Sequence, residues 1–297
     1  MPDTLDSALF QAPESPYRVP FDGSFSRADY PTAPPGDAPE KEAIKSALAE
    51  TREALDDLQR RLHASGRWSV LLIFQAMDAA GKDSTIRSVM RGVDPVGCHV
   101  HSFKQPSSRE RDHDFLWRTQ AHLPRKGHIG IFNRSYYEEM LITRVHPEYL
   151  DAQRLPVGPP ALWQARREAI IAHERHLAVS GTVVIKFWLN VSRETQRMRF
   201  LRRLEKPDKR WKFSLGDVRE RGFWPQYMDA YEEAVGLTSR PWAPWYAIPA
   251  DDKPYMRERV GDIIRRALES LDLRYPQPDP AIQDQQQAIR DGLQPDS

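Results

Sequence analysis

Asp78, Lys82 and Arg134 are the residues of this chain whose types and surroundings point most directly to chemistry. The first two stand in AMDAAGKDST (76–85), a run of small residues between the apolar SVLLIFQ and a helical pattern. A strand-to-helix bend of this kind presents backbone N–H groups, and the helix dipole adds about half a positive charge there. A phosphate is the natural occupant, with Lys82 reaching a bridging or terminal oxygen. The full phosphate-loop pattern is G-x-x-x-x-G-K-[ST]. Here Ala76 holds the place of the first glycine and Asp83 that of the hydroxyl, with Ser84 and Thr85 just behind. The candidate phosphate contacts are Ala79, Ala80, Gly81, Lys82, Asp83 and Ser84. Asp78, inside the loop, would repel phosphate unless it holds a divalent cation that bridges to it. The bland alternative is a plain helix N-terminus, with Asp83 near the cap and Lys82 in solvent.

Two further segments carry charge suited to the same chemistry. FNRSYYEE (132–139) follows an apolar run, at a place where nucleotide kinases end a strand in a magnesium-holding acid. Asn133 occupies that place, with Arg134 next and Glu138 and Glu139 following. A guanidinium fork at Arg134 suits phosphate oxygens, although a surface ion pair would use it equally. The stretch 193–221 holds eleven Lys or Arg against five Asp or Glu, a local charge of +6 in a chain of net charge +1. Arg199, Arg202, Arg203 and Lys206 recur at helical spacing on one face, before Pro207 breaks the pattern and Arg210 follows. A basic helix-turn flap can close over phosphates, exclude water and bring arginine to a transferring group. The competing readings are a solvated basic helix or, given Trp211 and Phe213, a single-stranded nucleic-acid patch. The near-neutral total charge disfavours nucleic acid.

These residues need elements to position them. Ile44, Leu48, Leu55, Leu58 and Leu62 predict a helix over 41–65, stopped by Gly66. Strands are predicted at 68–75, 99–104, 128–133, 182–191 and 245–250, and helices from about 82, at 109–123, 160–179 and 252–272. Strands alternating with helices predict an α/β fold, a mainly parallel sheet covered on both faces. In such sheets ligands sit at the carboxyl ends of the strands. That brings the 76–83 loop, the end of 128–133 and the end of 182–191 into one neighbourhood.

Residues 1–40, with eight prolines, read as an extended arm, and 275–297, rich in Pro, Gln and Asp, as a tail. The 297 residues suffice for a sizeable core. The first twenty residues have no signal-peptide pattern, and no apolar run approaches the ~20 residues that span a bilayer. With Cys98 alone, no intramolecular disulfide can form, and a cytoplasmic setting is expected. His113 and His146 have no second ligand at metal spacing, which argues against zinc.

Taken in order, AMDAAGKDSTI, FNRSYYEE and RRLEKPDKRWKFSLGD resemble the polyphosphate kinase 2 family. The resemblance extends over about 41–275, through SFKQPS (102–107), HDFLWR (113–118), LPRKGHIGIFNRS (123–135), RVHPEYL (144–150) and APWYAIPADDK (243–253). It implies a phosphate-loop kinase fold, a three-layer α/β/α sandwich with a helical lid at about 193–221. It implies transfer of a terminal phosphoryl group between inorganic polyphosphate and a nucleotide, with Mg²⁺, or Mn²⁺ in its place. Asp78, Lys82 and Arg134 match the family's functional positions, and Arg199, Arg202, Arg203, Lys206 and Arg210 fall in the lid. Lys104, Asn133, Arg134, Tyr137, Glu138 and Arg144 lie in matched segments and are the candidates for nucleotide contact. The chain departs from many members in Asn133, where they carry Asp, and in Asp83-Ser84, where they carry Gly-Gly. Metal holding then shifts to Asp78 and Glu138. The Asn-Arg-Ser form resembles the subgroup acting on both nucleoside mono- and diphosphates, and the family implies dimers or tetramers. Neither nucleic acid nor membrane is expected as a partner. The rival activities are an ATP-dependent nucleoside or nucleotide kinase on the same fold and a non-catalytic polyanion-binding module.

Overall fold

The computed structural model describes residues 9–293, apart from the side chains at 209, 212 and 284; the first eight residues of the expected arm and the last four of the expected tail lie outside it. Five parallel strands form one sheet: β1 (Ser69–Gln75), β2 (Cys98–Ser102), β3 (Ile129–Asn133), β4 (Thr182–Asn190) and β5 (Trp245–Pro249), in the order β2-β3-β1-β4-β5. Every residue of β1, β4 and β5 is buried, as their continuous apolar character requires of strands covered on both faces. The edge strand β2, CHVHS, is largely exposed.

Helices cover both faces. On one, α1 (Lys41–Ser65), α2 (Lys82–Val89) and α10 (Lys253–Glu269) pack together. On the other lie α5 (Glu138–Val145), α6 (Ala161–Val179) and α9 (Trp224–Thr238). This is the three-layer phosphate-loop kinase arrangement. Gly66, at φ 55°, closes α1 in the left-handed conformation. Two helices rise beyond the carboxyl ends of the strands, α7 (Arg193–Glu205) and α8 (Leu215–Gly222), joined by a 3-10 turn at Pro207–Lys212.

The continuous helix predicted over 109–123 is two short ones, α3 (Ser108–Arg111) and α4 (Trp117–Gln120). Asp114 divides them: its Oδ1 accepts from the N–H groups of Leu116 (3.0 Å) and Trp117 (3.2 Å), a local pairing that competes with helical bonding. The tail holds two short exposed helices, α11 (Pro280–Asp284) and α12 (Gln286–Gly292). Before α1, residues 10–32 lie on the core. The Val19 N–H donates to Trp245 O and Ala247 N–H to Tyr17 O, so this segment continues the sheet past β5 in antiparallel sense. Phe10, Tyr17, Val19 and Phe25 are buried by that docking. Among the described residues no helix is long and apolar enough to cross a membrane.

Candidate active site

The sheet order reverses direction at β1, which lies between β3 and β4, and the chain leaves β1 at this switch point through Ala76–Gly81. The loop is built on two left-handed residues, Ala79 at φ 62° and Gly81 at φ 114°, the second tolerable only without a side chain. A Cβ on Gly81 would also lie 3.3 Å from Met256 Cε. Lys82 opens α2 and is buried, its Nζ donating to Ala76 O at 2.7 Å across the loop. Burial, helped by the nearby Arg134 guanidinium, lowers its pKa to about 8 against the attraction of Asp78, Glu138 and Asp83.

At the end of β3, the Arg134 N–H donates to Phe74 O at 3.0 Å while its φ of 65° swings the side chain over the loop. Its Nη2 donates to Asp78 Oδ1 at 2.8 Å and its Nη1 lies 3.8 Å from Glu138 Oε2. Glu138 and Asp78 together hold the guanidinium firmly protonated. Burial pushes the Glu138 carboxyl up, opposed by Arg134 and Lys82. The Gln75 amide lies between Glu138 and Ser135; the orientation that satisfies both of its ends has Nε2 donating to Glu138 Oε1 at 2.8 Å and its oxygen accepting from Ser135. Asn133, in the place of the expected acid, donates through Nδ2 to Asp83 Oδ1 at 2.8 Å, and the Ser84 hydroxyl donates to Gly81 O at 3.0 Å.

Two clefts meet here. One, of about 940 Å³, runs over the loop and is basic: Lys82, Arg87, Lys104, Arg134, Arg199, Arg202, Arg203 and Lys253 line it, with Asp78, Asp83, Asp208 and Asp217. The other, of about 360 Å³, has apolar and aromatic walls from Phe103, Leu141, Ile142, Tyr149, Tyr227 and Tyr231, and a polar set including Glu138, His146 and Glu220. Met77, Asp78, Phe103, Lys104, Gln105 and Arg134 line both. A long polyanion fits the first by charge, and the apolar and aromatic faces of the second suit a nucleoside, with charged and polar side chains such as Arg111, Arg118 and Glu138 among them.

The structure separates the remaining sequence candidates. Lys104 lies at the junction. Tyr137 does not: it is fully buried behind the sheet, its hydroxyl donating to Glu174 Oε1 at 2.9 Å, lying 2.9 Å from Thr238 Oγ1 and accepting from Lys186 Nζ at 3.0 Å. Arg144 also points elsewhere, paired with Glu233 and set 5.5 Å from the Trp163 ring. Both sit on helical turns whose other residues reach the cleft, a difference of helix phase that spacing in one sequence did not reveal. In the lid, Arg203 pairs with Asp217 at 3.4 Å. Arg199 lines the cleft, but its terminal nitrogens donate to backbone carbonyls. Lys206 and Arg210 line neither cleft; Arg210 Nε donates to Leu204 O at 2.8 Å, folding back on the end of α7.

Sequence reasoning missed Lys253 and Asp217. Lys253 opens α10 after β5, its Cε 3.9 Å from where a Gly81 Cβ would stand. The signal was PADDK directly after a strand. Asp217 faces the loop from α8, and burial beside Asp78 raises its carboxyl.

Among the described residues no set of three or more His, Cys, Asp or Glu side chains forms a metal cage. Asp78 and Glu138, both within reach of Arg134 beside the phosphate loop, instead fit the mode in which one or two carboxylates share a divalent cation with substrate phosphates.

A family model described as Polyphosphate kinase 2 (PPK2) matches residues 38–277. The chain is 51% identical over 244 residues to the ADP-polyphosphate phosphotransferase of Rhodopseudomonas palustris, covering 81% of this chain and 84% of the relative. It is 43% identical over 266 residues to the AMP/ADP-polyphosphate phosphotransferase of Meiothermus ruber, covering 89% and 96%. The crystal structure of a polyphosphate kinase 2 from Arthrobacter aurescens superposes with a TM-score of 0.87 at 36% identity, over 95% of this chain and 98% of that one.

Proposed function

The chain belongs to the polyphosphate kinase 2 family, and on that premise we propose that it is a phosphotransferase moving the terminal phosphoryl group of inorganic polyphosphate onto nucleoside mono- and diphosphates, AMP to ADP and ADP to ATP. The observation that carries this reading is the junction of a basic, loop-floored cleft with an apolar one at Asp78 and Arg134. Polyphosphate lies along the basic cleft with its end over the loop N–H groups, Lys82 and Arg134. The nucleoside occupies the apolar cleft, which brings its phosphate to the same junction.

An oxygen of the acceptor's terminal phosphate attacks the end phosphorus of the chain. That P–O bond forms as the bond to the bridging oxygen breaks, and the shortened chain leaves with the electron pair. The nucleophile is already anionic, so no general base is required. Lys82 and Arg134 neutralise charge on the transferring group, and the protein acts mainly by holding the reactants in line. A divalent cation, Mg²⁺ or Mn²⁺, would be held by Asp78 and Glu138 and would supply further charge neutralisation between donor and acceptor. One phosphoanhydride replaces another, so the reaction runs in both directions. A cytoplasmic location and assembly into dimers or tetramers belong to the same proposal; sedimentation of the purified chain checks the latter.

The test is purified protein with Mg²⁺, ADP and long-chain polyphosphate, with ATP read by luciferase and Lys82→Ala as control. ATP formation above that control is expected, and its absence would remove polyphosphate as donor. Turnover with AMP, ADP, GMP and GDP compared side by side then fixes the acceptor range.

A further inference from the structure

Arg199 and Gln196 stand one turn apart on α7, at the root of the lid, and both reach backbone carbonyls of the phosphate loop. Gln196 is buried, and its Nε2 donates to Asp78 O at 2.9 Å. Arg199 Nη1 donates to Ala79 O at 3.2 Å and Ala80 O at 2.6 Å. Three consecutive carbonyls of the loop are therefore held by two side chains of one helix. The other terminal nitrogen, Nη2, donates to Ala250 O at 2.7 Å and Asp251 O at 3.0 Å, beyond the end of β5. Asp251 in turn accepts from Ser192 N–H through Oδ1 at 2.8 Å, just before α7 begins.

The peptide group is planar and trans, so each C=O fixes the following N–H on the opposite side. Carbonyls of Asp78 and Ala80 drawn toward these two side chains fix the N–H groups of Ala79 and Gly81 on the opposite side of their peptide planes. The loop's own side chains hold only the carbonyls at its two ends, Lys82 Nζ donating to Ala76 O and the Ser84 hydroxyl to Gly81 O, while Ala79 and Gly81 both sit at positive φ. Without an outside clamp such a segment has other conformations to adopt. A guanidinium is the group for this task, because its planar fork addresses four carbonyls at fixed angles, whereas an ammonium is a single point.

We infer that Arg199 and Gln196 are positioning residues that set the orientation of the phosphate-loop peptides, and that Arg199 does not itself bind polyphosphate. This rests on the reading of the loop as a phosphate cradle. It also reassigns Arg199 from the phosphate contacts expected from its place on the basic face of the lid.

The test compares Arg199→Lys, Arg199→Ala and Gln196→Leu, with Arg197→Lys, whose side chain pairs with Glu194 on the outer surface of the same helix, as control. A charge contact to polyphosphate would be largely kept by lysine; a carbonyl clamp would not. The expected result is a kcat for Arg199→Lys reduced at least about tenfold, close to that of Arg199→Ala, as a misplaced cradle predicts. Binding of tripolyphosphate by Arg199→Lys should keep the salt dependence of the parent protein, because no phosphate contact is lost. Amide exchange across 79–83 should quicken while β1 and β4 keep their protection. Arg199→Lys at parental kcat and loop exchange overturns the inference, as does a loss confined to polyphosphate KM with a reduced salt slope. Should Arg199→Lys fail to fold, Gln196→Leu reports on the same loop through the Asp78 carbonyl, with accelerated exchange at 79–83 expected and unchanged exchange overturning the inference. If the parent protein itself makes no ATP from polyphosphate, the proposed function fails while the exchange comparison still decides the clamp.

Discussion

Lys82 combines two properties that usually exclude each other, burial and a charge required for work. Burial and the Arg134 guanidinium bring its pKa to about 8, so it is protonated below that pH and neutral above it. Only the protonated form neutralises phosphate charge. The expected outcome is that kcat/KM for polyphosphate falls as pH rises through about 8, because this parameter reports the free enzyme. Bound phosphates raise the lysine's pKa again, so the fall in kcat should lie at higher pH. A rate profile flat from pH 7 to 9.5 would contradict the role. Lys82→Ala should lose about 10²–10³ in kcat, the usual cost of one preorganised electrostatic donor. Asn133 offers a second residue-level test. Its amide donates to Asp83 at 2.8 Å; Asn133→Asp would replace that bond by two facing carboxylates. Without divalent cation the variant should lose about 1 kcal/mol, the usual net worth of one hydrogen bond, and added Mg²⁺ should raise its melting temperature more than that of the parent. Equal Mg²⁺ shifts in both proteins would show that this pair gains no cation.

At the scale of elements, the site depends on how the turn after β3 is anchored. Arg134 and Glu138 face the clefts, but Tyr136 and Tyr137 between them point into the core, where both hydroxyls donate to Glu174 on α6. Lys186, in the middle of β4, is fully buried and completes the group by donating to Glu174, to Tyr137 and to Thr238 O. Burial lowers this lysine to about 8 against the pull of Glu174. Such a pair contributes little net stability when intact, and removing one partner leaves a buried charge at a cost of about 3–5 kcal/mol. Glu174→Gln should therefore melt roughly 10 °C lower. Glu174→Gln with Lys186→Met should recover part of that loss, a result read by calorimetry; a double variant no better than the single one would argue against an uncompensated lysine as the cause.

At the scale of the whole molecule, the sheet is closed on the β5 side by the segment ahead of α1. It pairs with Trp245 and Ala247, buries Phe10, Tyr17, Val19 and Phe25, and then reaches the carboxyl end of the sheet. There Tyr30 O accepts from Asn190 Nδ2 at 2.9 Å and Thr32 O from the Asp251 N–H at 2.8 Å. Removal of residues 1–31 would uncover the β5 edge and about 1.5–3 kcal/mol of apolar burial for each large side chain lost. That total is comparable with the 5–15 kcal/mol stability of a typical domain. The truncated chain is expected to aggregate or to melt far below the full one, seen by size-exclusion chromatography and thermal scan. A monodisperse truncation with unchanged melting would show the arm to be dispensable.

The apolar runs at 69–75, 182–190 and 245–249 determined strands on their own, because a strand buried on both faces admits almost no polar residue. Their alternation with helical patterns determined a parallel sheet, and hence that the loop at Asp78 and Lys82 would face the end of the strand carrying Asn133 and Arg134. The family resemblance was likewise written in the order of short segments. Tertiary structure alone decided which face each side chain took. Tyr137 and Glu138 are adjacent in sequence, yet the first joins a buried ion pair behind the sheet and the second the wall of the apolar cleft. Arg199 and Arg203 share a helical face in the sequence, yet four backbone carbonyls take the first and Asp217 the second. A guanidinium in a sequence shows charge and reach. Whether it meets a phosphate or a carbonyl depends on acceptors up to 120 residues away in the chain, and only folding brings these together.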